Sequence, residues 1–353
     1  MKIAGFDIGG ANTDVALVDF DESGNIIGVE TNFIYLPMWI KNDELKEALK
    51  NLIGSNMDEV DAVGVSMTAE LVDAYRTKKE GVMDIAKKSV DSFNVPVGFV
   101  GLDGIMDISG VFEEPMKVAA ANWIATVHMA SKIHSNCILI DIGSTTTDII
   151  PIKNGKECAK GRSDLERLKT GELVYSGTLR TNVAALVEKV PIDGTMMRIA
   201  SELFAVTADI QIILGNISNE EYTCDTMDGA GKSIDDCMRR ISRVICGDMD
   251  ALKPDEIKAI AEYIYSEQVK RISEALLEVS KRNHLSKVVI TGLGMDILGA
   301  KACELAGLEY TGMDKILKKE DCVVAPAVGT AILMEKYLRN NPILINYNYT
   351  RHL

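Results

Sequence analysis

No stretch of this sequence holds the ~20 consecutive apolar residues that a bilayer-spanning helix requires, so no membrane partner is expected. Positive charge is also scarce: 38 lysines and arginines face 52 aspartates and glutamates, a formal net charge of −14. No Lys/Arg-rich run offsets this deficit. A nucleic-acid backbone would be repelled, and any phosphate the chain binds must be gripped locally. Metal-site spacing is missing too. The seven cysteines, at 137, 158, 224, 237, 246, 303 and 322, form no CxxC pair, and the four histidines lie far from them. A structural zinc centre is not expected, and the thiols read as buried and free. His128 and His134, six residues apart, do not share a helical face. Cys224 has no histidine nearby in sequence to activate it and reads as a packed thiol. The opening Met1-Lys2-Ile3-Ala4-Gly5-Phe6 already reads as a strand, which points to a cytoplasmic protein.

What is present is enough for two domains: 353 residues, 47% of them hydrophobic. Apolar runs at 2–7 and 15–20, followed by the turn Glu22-Ser23-Gly24-Asn25, read as a hairpin-rich start. Residues 43–53 space Leu45, Ala48, Leu49 and Leu52 on one helical face, with Gly54 as the stop. A buried strand is expected at 60–67, and an alanine-rich helix over 116–132 leads to an apolar strand at 137–141. From about 161 to 250 turn clusters interrupt short apolar runs, which reads as a specialised insertion. Regularity returns with a long amphipathic helix over 254–282, with Pro254 in its first turn. A strand at 287–291, the turn Gly292-Leu293-Gly294 and an apolar helix at 327–338 follow, and the tail after Pro342 is expected to be loosely held.

The segment Asp7-Ile8-Gly9-Gly10-Ala11-Asn12-Thr13-Asp14 returns as Asp141-Ile142-Gly143-Ser144-Thr145-Thr146-Thr147-Asp148, with five of eight positions identical. Each copy ends one apolar strand and begins another, as in a hairpin closed by a tight glycine turn. Glycine lets backbone N–H groups approach phosphate oxygens, and the hydroxyls of Thr13, Ser144, Thr145 and Thr146 add donors. Asp7 and Asp141 can hold magnesium directly or through water. Two facing copies make a clamp around a diphosphate–magnesium unit. One copy alone would serve as an ordinary β-turn, so it is the repeat that points to phosphate. Gly292-Leu293-Gly294 is not a dinucleotide fingerprint, because the next glycine is Gly299.

The paired loops resemble those of the actin-like superfamily of sugar kinases, Hsp70 proteins and actin, and the resemblance runs over nearly the whole chain. Residues 116–132 stand in place of the first interdomain helix, and 327–338 in place of the second. Val288-Val289-Ile290-Thr291-Gly292-Leu293-Gly294 resembles the adenosine-motif strand and turn. The resemblance implies an α/β chain of two actin-like (ribonuclease H-like) domains with an interdomain cleft. Domain I would be residues 1–134, completed by the C-terminal helix within 327–353; domain II would be 135–326, carrying the insertion.

The superfamily leaves the chemistry open. Six strings narrow it: Phe6-Asp7-Ile8-Gly9-Gly10-Ala11-Asn12-Thr13, Leu36-Pro37-Met38-Trp39, Thr68-Ala69-Glu70-Leu71, Asp164-Leu165-Glu166-Arg167-Leu168, Tyr175-Ser176-Gly177-Thr178-Leu179-Arg180-Thr181 and Glu221-Tyr222-Thr223-Cys224-Asp225-Thr226. Together they are similar to an archaeal family of condensing enzymes in methanofuran biosynthesis, with hydantoinase-like and kinase-like relatives. That resemblance implies a magnesium-using transferase that joins 5-(aminomethyl)-3-furanmethanol diphosphate to γ-glutamyltyramine and releases diphosphate without ATP. Small molecules are its only implied partners. The alternative is an ATP-dependent small-molecule kinase, which an open purine slot beside Gly292–Gly294 would mark.

Under that implication Asp7 and Asp141 are the catalytic and magnesium residues. Gly9, Gly10, Asn12, Thr13, Gly143, Ser144, Thr145 and Thr146 form the diphosphate cradle. Asp141 is the first candidate for the base that takes the phenol proton, because the matching position lies near the attacking group in related kinases. In the insertion, Arg167 and Arg180 are candidates for the glutamyl carboxylate, and Glu172 or Asp209 for a substrate ammonium. Lys117 is a candidate phosphate contact. Each of these five could equally form a surface or interdomain ion pair. Asp14 and Asp148 could stabilise the turns or touch ligand, and Trp123 reads as core. The sequence carries no signal of oligomeric state.

Overall fold

Two sheets of one topology grow from the two copies of the repeat. In the computed structural model, which describes residues 1–341, six strands form the first sheet: β1 (Lys2–Ile8), β2 (Asn12–Phe20), β3 (Ile26–Tyr35), β4 (Ala62–Met67), β5 (Val97–Gly101) and β6 (Gly104–Met106). Their order is β3-β2-β1-β4-β5-β6, with β1 antiparallel to β2 and parallel to β4. The second sheet is made by β7 (Cys137–Ile142), β8 (Thr147–Lys153), the short β9 (Lys156–Glu157) and β10 (Leu173–Val174), and two later strands. After a separate ribbon of β11 (Lys189–Ile192) and β12 (Thr195–Arg198), it is completed by β13 (Lys287–Thr291) and β14 (Glu309–Gly312). Its order is β10-β8-β7-β13-β14, with β9 on β8, and β7 runs antiparallel to β8 and parallel to β13. Each sheet thus sets a hairpin beside parallel strands, the actin-like, ribonuclease H-like plan. The parallel strands read as unbroken apolar runs because both of their faces are covered; every residue of β4 and β7 is buried.

Two helices, Asn122–Ile133 and Ala325–Asn340, lie against each other and against the sheets, and one apolar core joins residues of both sheets through them. The approach is close enough to demand glycine. A Cβ on Gly329 would stand 2.4 Å from the Ala125 carbonyl, and one on Gly5 would stand 2.1 Å from the Ala327 carbonyl. The first of these helices begins later than the alanine pattern predicts. A 3₁₀ turn occupies Pro115–Lys117, and Ala120 takes a left-handed φ of 49°, so the backbone enters the helix only at Asn122. That break points Asn122 at Asp7.

The irregular segment folds into a third apolar cluster, in which Leu179, Val190, Ile210 and Ile241 pack against Ile257, Ile260 and Ile264 of the helix Pro254–Asn283. Among the described residues, no helix is long and apolar enough to cross a membrane. The tail after Pro342, and with it the end of the helix expected within 327–353, lies outside the described residues.

Gly329→Ala should lower the unfolding free energy by about 1–3 kcal/mol, the usual penalty for forcing a methyl group into a filled contact. Urea titration would read it, and an unchanged midpoint would show that the two helices do not depend on touching there.

Candidate active site

Both loops close in the same way. The Gly9 N–H donates to the Asn12 carbonyl at 2.9 Å, and the Gly143 N–H donates to the Thr146 carbonyl at 2.9 Å. Across each hairpin two aspartates stand opposite, Asp7 with Asp14 and Asp141 with Asp148. The loops meet at the floor of a cleft of about 1160 Å³, lined among others by Asp7, Gly9, Gly10, Asn12, Asp14, Asp141, Gly143, Ser144, Thr145, Thr146 and Asp148. The N–H groups of Gly10, Ala11, Ser144 and Thr145 have no acceptor among the described residues, as an anion cradle requires. Thr13 is a correction. Side chains alternate along β2, so Asn12 and Asp14 reach the cleft while Thr13 is fully buried outside its lining. Its counterpart Thr147 is likewise turned inward, donating to the Ser176 carbonyl at 2.7 Å.

Neighbouring segments hold each loop from behind. The first receives hydrogen bonds from Leu36 N–H to Ala11, Met38 N–H to Gly10 and Thr68 N–H to Ile8, at 2.8, 2.9 and 2.9 Å. The second receives Thr178 N–H on Gly143 and Leu179 and Arg180 N–H on Ser144, at 2.9, 3.0 and 2.9 Å. Gly177 lies flat beneath it, where a Cβ would come within 2.5 Å of the Thr145 nitrogen. Buried Gln268 fixes that segment by donating to Ser176 Oγ and to the Gly177 carbonyl.

Three carboxyls of the cleft floor are held above their ordinary range. Burial raises the Asp7 carboxyl above its ordinary range, against hydrogen bonds from Ser66 Oγ at 2.8 Å and Asn122 Nδ2 at 3.4 Å that favour its charged form. Burial, then repulsion from Asp7, pushes Asp141 up to about 7. Asp14 is held well above its ordinary range, by burial and then by Asp7 and Asp141, and among the described residues its side chain makes no hydrogen bond or ion pair. Among the described residues no three carboxylates, imidazoles or thiolates converge to chelate a metal unaided. Oxygen donors of this kind, carboxylates beside loop N–H groups without acceptors, fit a hard divalent cation better than a softer one.

The structure separates the remaining candidates. Arg167 is no free carboxylate receptor: it is buried, paired with Asp148 and stacked over Trp123 at 5.2 Å. Glu172 is buried outside the cleft lining, accepting from the Lys160 and Gly161 N–H groups and from Arg282 at 2.7 Å. Asp209 is sealed in the insertion by Arg240 at 2.8 Å and Tyr222 at 3.1 Å. Lys117 stands away from the cleft lining, bridged to Glu114 and Asp103. These four carry structure, not substrate. Arg180 does line the cleft, but against the second loop, its Nη1 donating to Thr145 Oγ1 at 3.2 Å. Sequence reasoning missed Trp39, whose ring lies 4.8 Å under the Arg180 guanidinium, and Ser66 and Asn122, which orient Asp7. Trp39 sat in a string already singled out; no spacing signal marked the other two.

Residues 61–337 match the family described as hydantoinase/oxoprolinase. Over 346 residues the chain is 42% identical to the (4-{4-[2-(gamma-L-glutamylamino)ethyl]phenoxymethyl}furan-2-yl)methanamine synthase of Methanocaldococcus jannaschii, covering 96% of this chain and 99% of that one. The chain belongs to the hydantoinase/oxoprolinase family, in the group of these synthases. It is therefore an enzyme. The like-named synthase of Methanococcus vannielii is 38% identical over 213 residues, 60% of this chain and 96% of that one. Among solved structures, nucleotide-free acetone carboxylase shares the fold with a TM-score of 0.60 at 10% identity, over 94% of this chain and 70% of that one.

In this synthase-group chain, Asp141→Asn should abolish turnover while keeping the fold. The native carboxyl titrates near 7 against an ordinary 3.8, so its ionisation is penalised in the folded state alone. Native stability therefore falls as pH rises between those values and stays reduced above them. Without magnesium, the variant's thermal midpoint should match the parent's near pH 4 and exceed it at pH 8. Equal midpoints at both would show that Asp141 is not held against its charge.

Proposed function

We propose that this chain condenses 5-(aminomethyl)-3-furanmethanol diphosphate with γ-glutamyltyramine, releasing diphosphate and forming the aryl ether intermediate of methanofuran biosynthesis. The observation that carries the reading is the pairing of two empty-handed phosphate loops over uncompensated carboxylates, in a chain 42% identical to a synthase whose name contains that phenoxymethyl-furan linkage. The phenol oxygen forms a bond to the furan methylene carbon, and the bond from that carbon to the diphosphate oxygen breaks, its electron pair leaving with diphosphate. The phenol, with an ordinary pKa of about 10, gives its proton to a base. Asp141, a buried carboxylate on the cleft floor, is the residue assigned to that role. Magnesium, when bound, offsets the charge that develops on the departing diphosphate. Donors from Gly10, Ala11, Ser144 and Thr145 do the same from the protein side. The furan ring can delocalise positive charge at the methylene, which favours early departure of the leaving group.

Packing argues against the kinase alternative. Leu293 reaches the cleft, but Gly292 and Gly294 are absent from its lining. A Cβ on Gly292 would stand 2.5 Å from the Ile142 carbonyl, and one on Gly294 would stand 2.4 Å from Thr178 Oγ1. These glycines let the turn press against the second phosphate loop, where a purine would need room.

Purified protein mixed with magnesium, the furan diphosphate and γ-glutamyltyramine, without nucleotide, should yield coupled ether and free diphosphate by mass spectrometry. Absence of ether, with ATP consumed when small alcohols are supplied, would replace the condensation with phosphoryl transfer.

A further inference from the structure

Among the described residues nine carboxylates line the cleft, and two cationic side chains, Arg167 and Arg180, join them. Arg167 is spent on Asp148. Arg180 has no carboxylate partner among the described residues; its guanidinium donates to Thr145 Oγ1 and lies over the face of Trp39, with Tyr35 and Cys224 near enough to feel its charge. Among the described residues it is the one cationic side chain of the cleft without a carboxylate partner, and it sits on the second loop. Its seat is built from both sides. The Arg180 N–H is bonded to Ser144 in the second loop. Trp39 directly follows Met38, whose N–H is bonded to Gly10 in the first loop. One continuous connection, Gly10 to Trp39 to Arg180 to Thr145, therefore spans the clamp.

Resting on the diphosphate reading above, we infer that Arg180 binds the leaving diphosphate directly, and that Trp39 is the positioning residue that holds its guanidinium over the gap between the loops. The glutamyl carboxylate of the acceptor is then not Arg180's ligand. Three features agree. A guanidinium presents a planar fork suited to two phosphate oxygens. The indole face restrains that fork without neutralising it, as a carboxylate partner would. The anion that forms in the reaction is the diphosphate, and it must be held among carboxylates that repel it.

Isothermal titration of the full chain with magnesium and inorganic diphosphate separates the possibilities, with γ-glutamyltyramine titrated in parallel. Arg180→Ala should weaken diphosphate binding roughly 10- to 100-fold, the usual range for loss of a charge-assisted hydrogen bond, and leave γ-glutamyltyramine affinity unchanged. Arg180→Lys, which keeps the charge and loses the fork, should fall between, and it serves as the test if the alanine variant misfolds. Trp39→Leu should weaken diphosphate binding about threefold or more, and Trp39→Phe should recover part of that loss. Parental diphosphate affinity in both Arg180 variants, or a loss confined to γ-glutamyltyramine, would overturn the assignment while leaving the condensation standing. Failure of the parent chain itself to bind diphosphate would overturn the condensation reading and Arg180's role with it.

Discussion

Three carboxylates, Asp7, Asp14 and Asp141, face one cleft floor with no side-chain cation among the described residues to neutralise them, and each is held above its ordinary range. Like charges in a partly dry site push apart and favour protonation. The surroundings must resist that push, which accounts for the backbone straps on both loops, the buried Gln268 under one of them and the glycines that let helices press close to β1 and β4. A floor built this rigidly carries electrostatic strain that a bound cation and its phosphate would relieve. Stability and function therefore draw on the same residues in opposite directions.

The two loops are copies in sequence but not in charge. Arg167 cancels Asp148 and rests on Trp123, which the first linking helix supplies. Asp14 receives no such partner. Negative charge is thus concentrated at Asp7, Asp14 and Asp141, while Arg180 adds a positive charge beside the second loop. The asymmetry arises from one buried ion pair placed behind one of two otherwise similar turns.

The fold was legible because its signals are local. A repeated strand-turn-strand, continuous apolar parallel strands and a long amphipathic helix each declare themselves within a short window. The loop floor was legible for the same reason. Thr13 was misjudged because a motif read as a string ignores the alternation of strand faces, and that alternation sends every second residue into the core. The roles of the insertion's charged residues stayed open in the sequence for a different reason. Glu172 meets Arg282, and Asp209 meets Arg240, across 110 and 31 residues of chain, and no window of sequence shows those partnerships. Trp39 and Arg180 are likewise far apart in sequence, so their stack exists only once both straps are in place.

The two sides of the cleft are joined by contacts of two kinds. A continuous apolar core runs through the two linking helices into both sheets. Elsewhere the two sides meet through polar contacts: Lys78 with Asp164 at 3.1 Å and Tyr35 with Asp225 at 2.8 Å. Partly exposed pairs of this sort contribute about 0–1 kcal/mol each, whereas parting the core would expose several large side chains at about 1.5–3 kcal/mol apiece. Separation at the polar contacts is therefore the inexpensive motion, with the linking helices as its fixed axis. A clamp that must trap a doubly anchored anion and afterwards release it needs this gradient, since polar contacts as strong as the core would hold the product as firmly as the substrate.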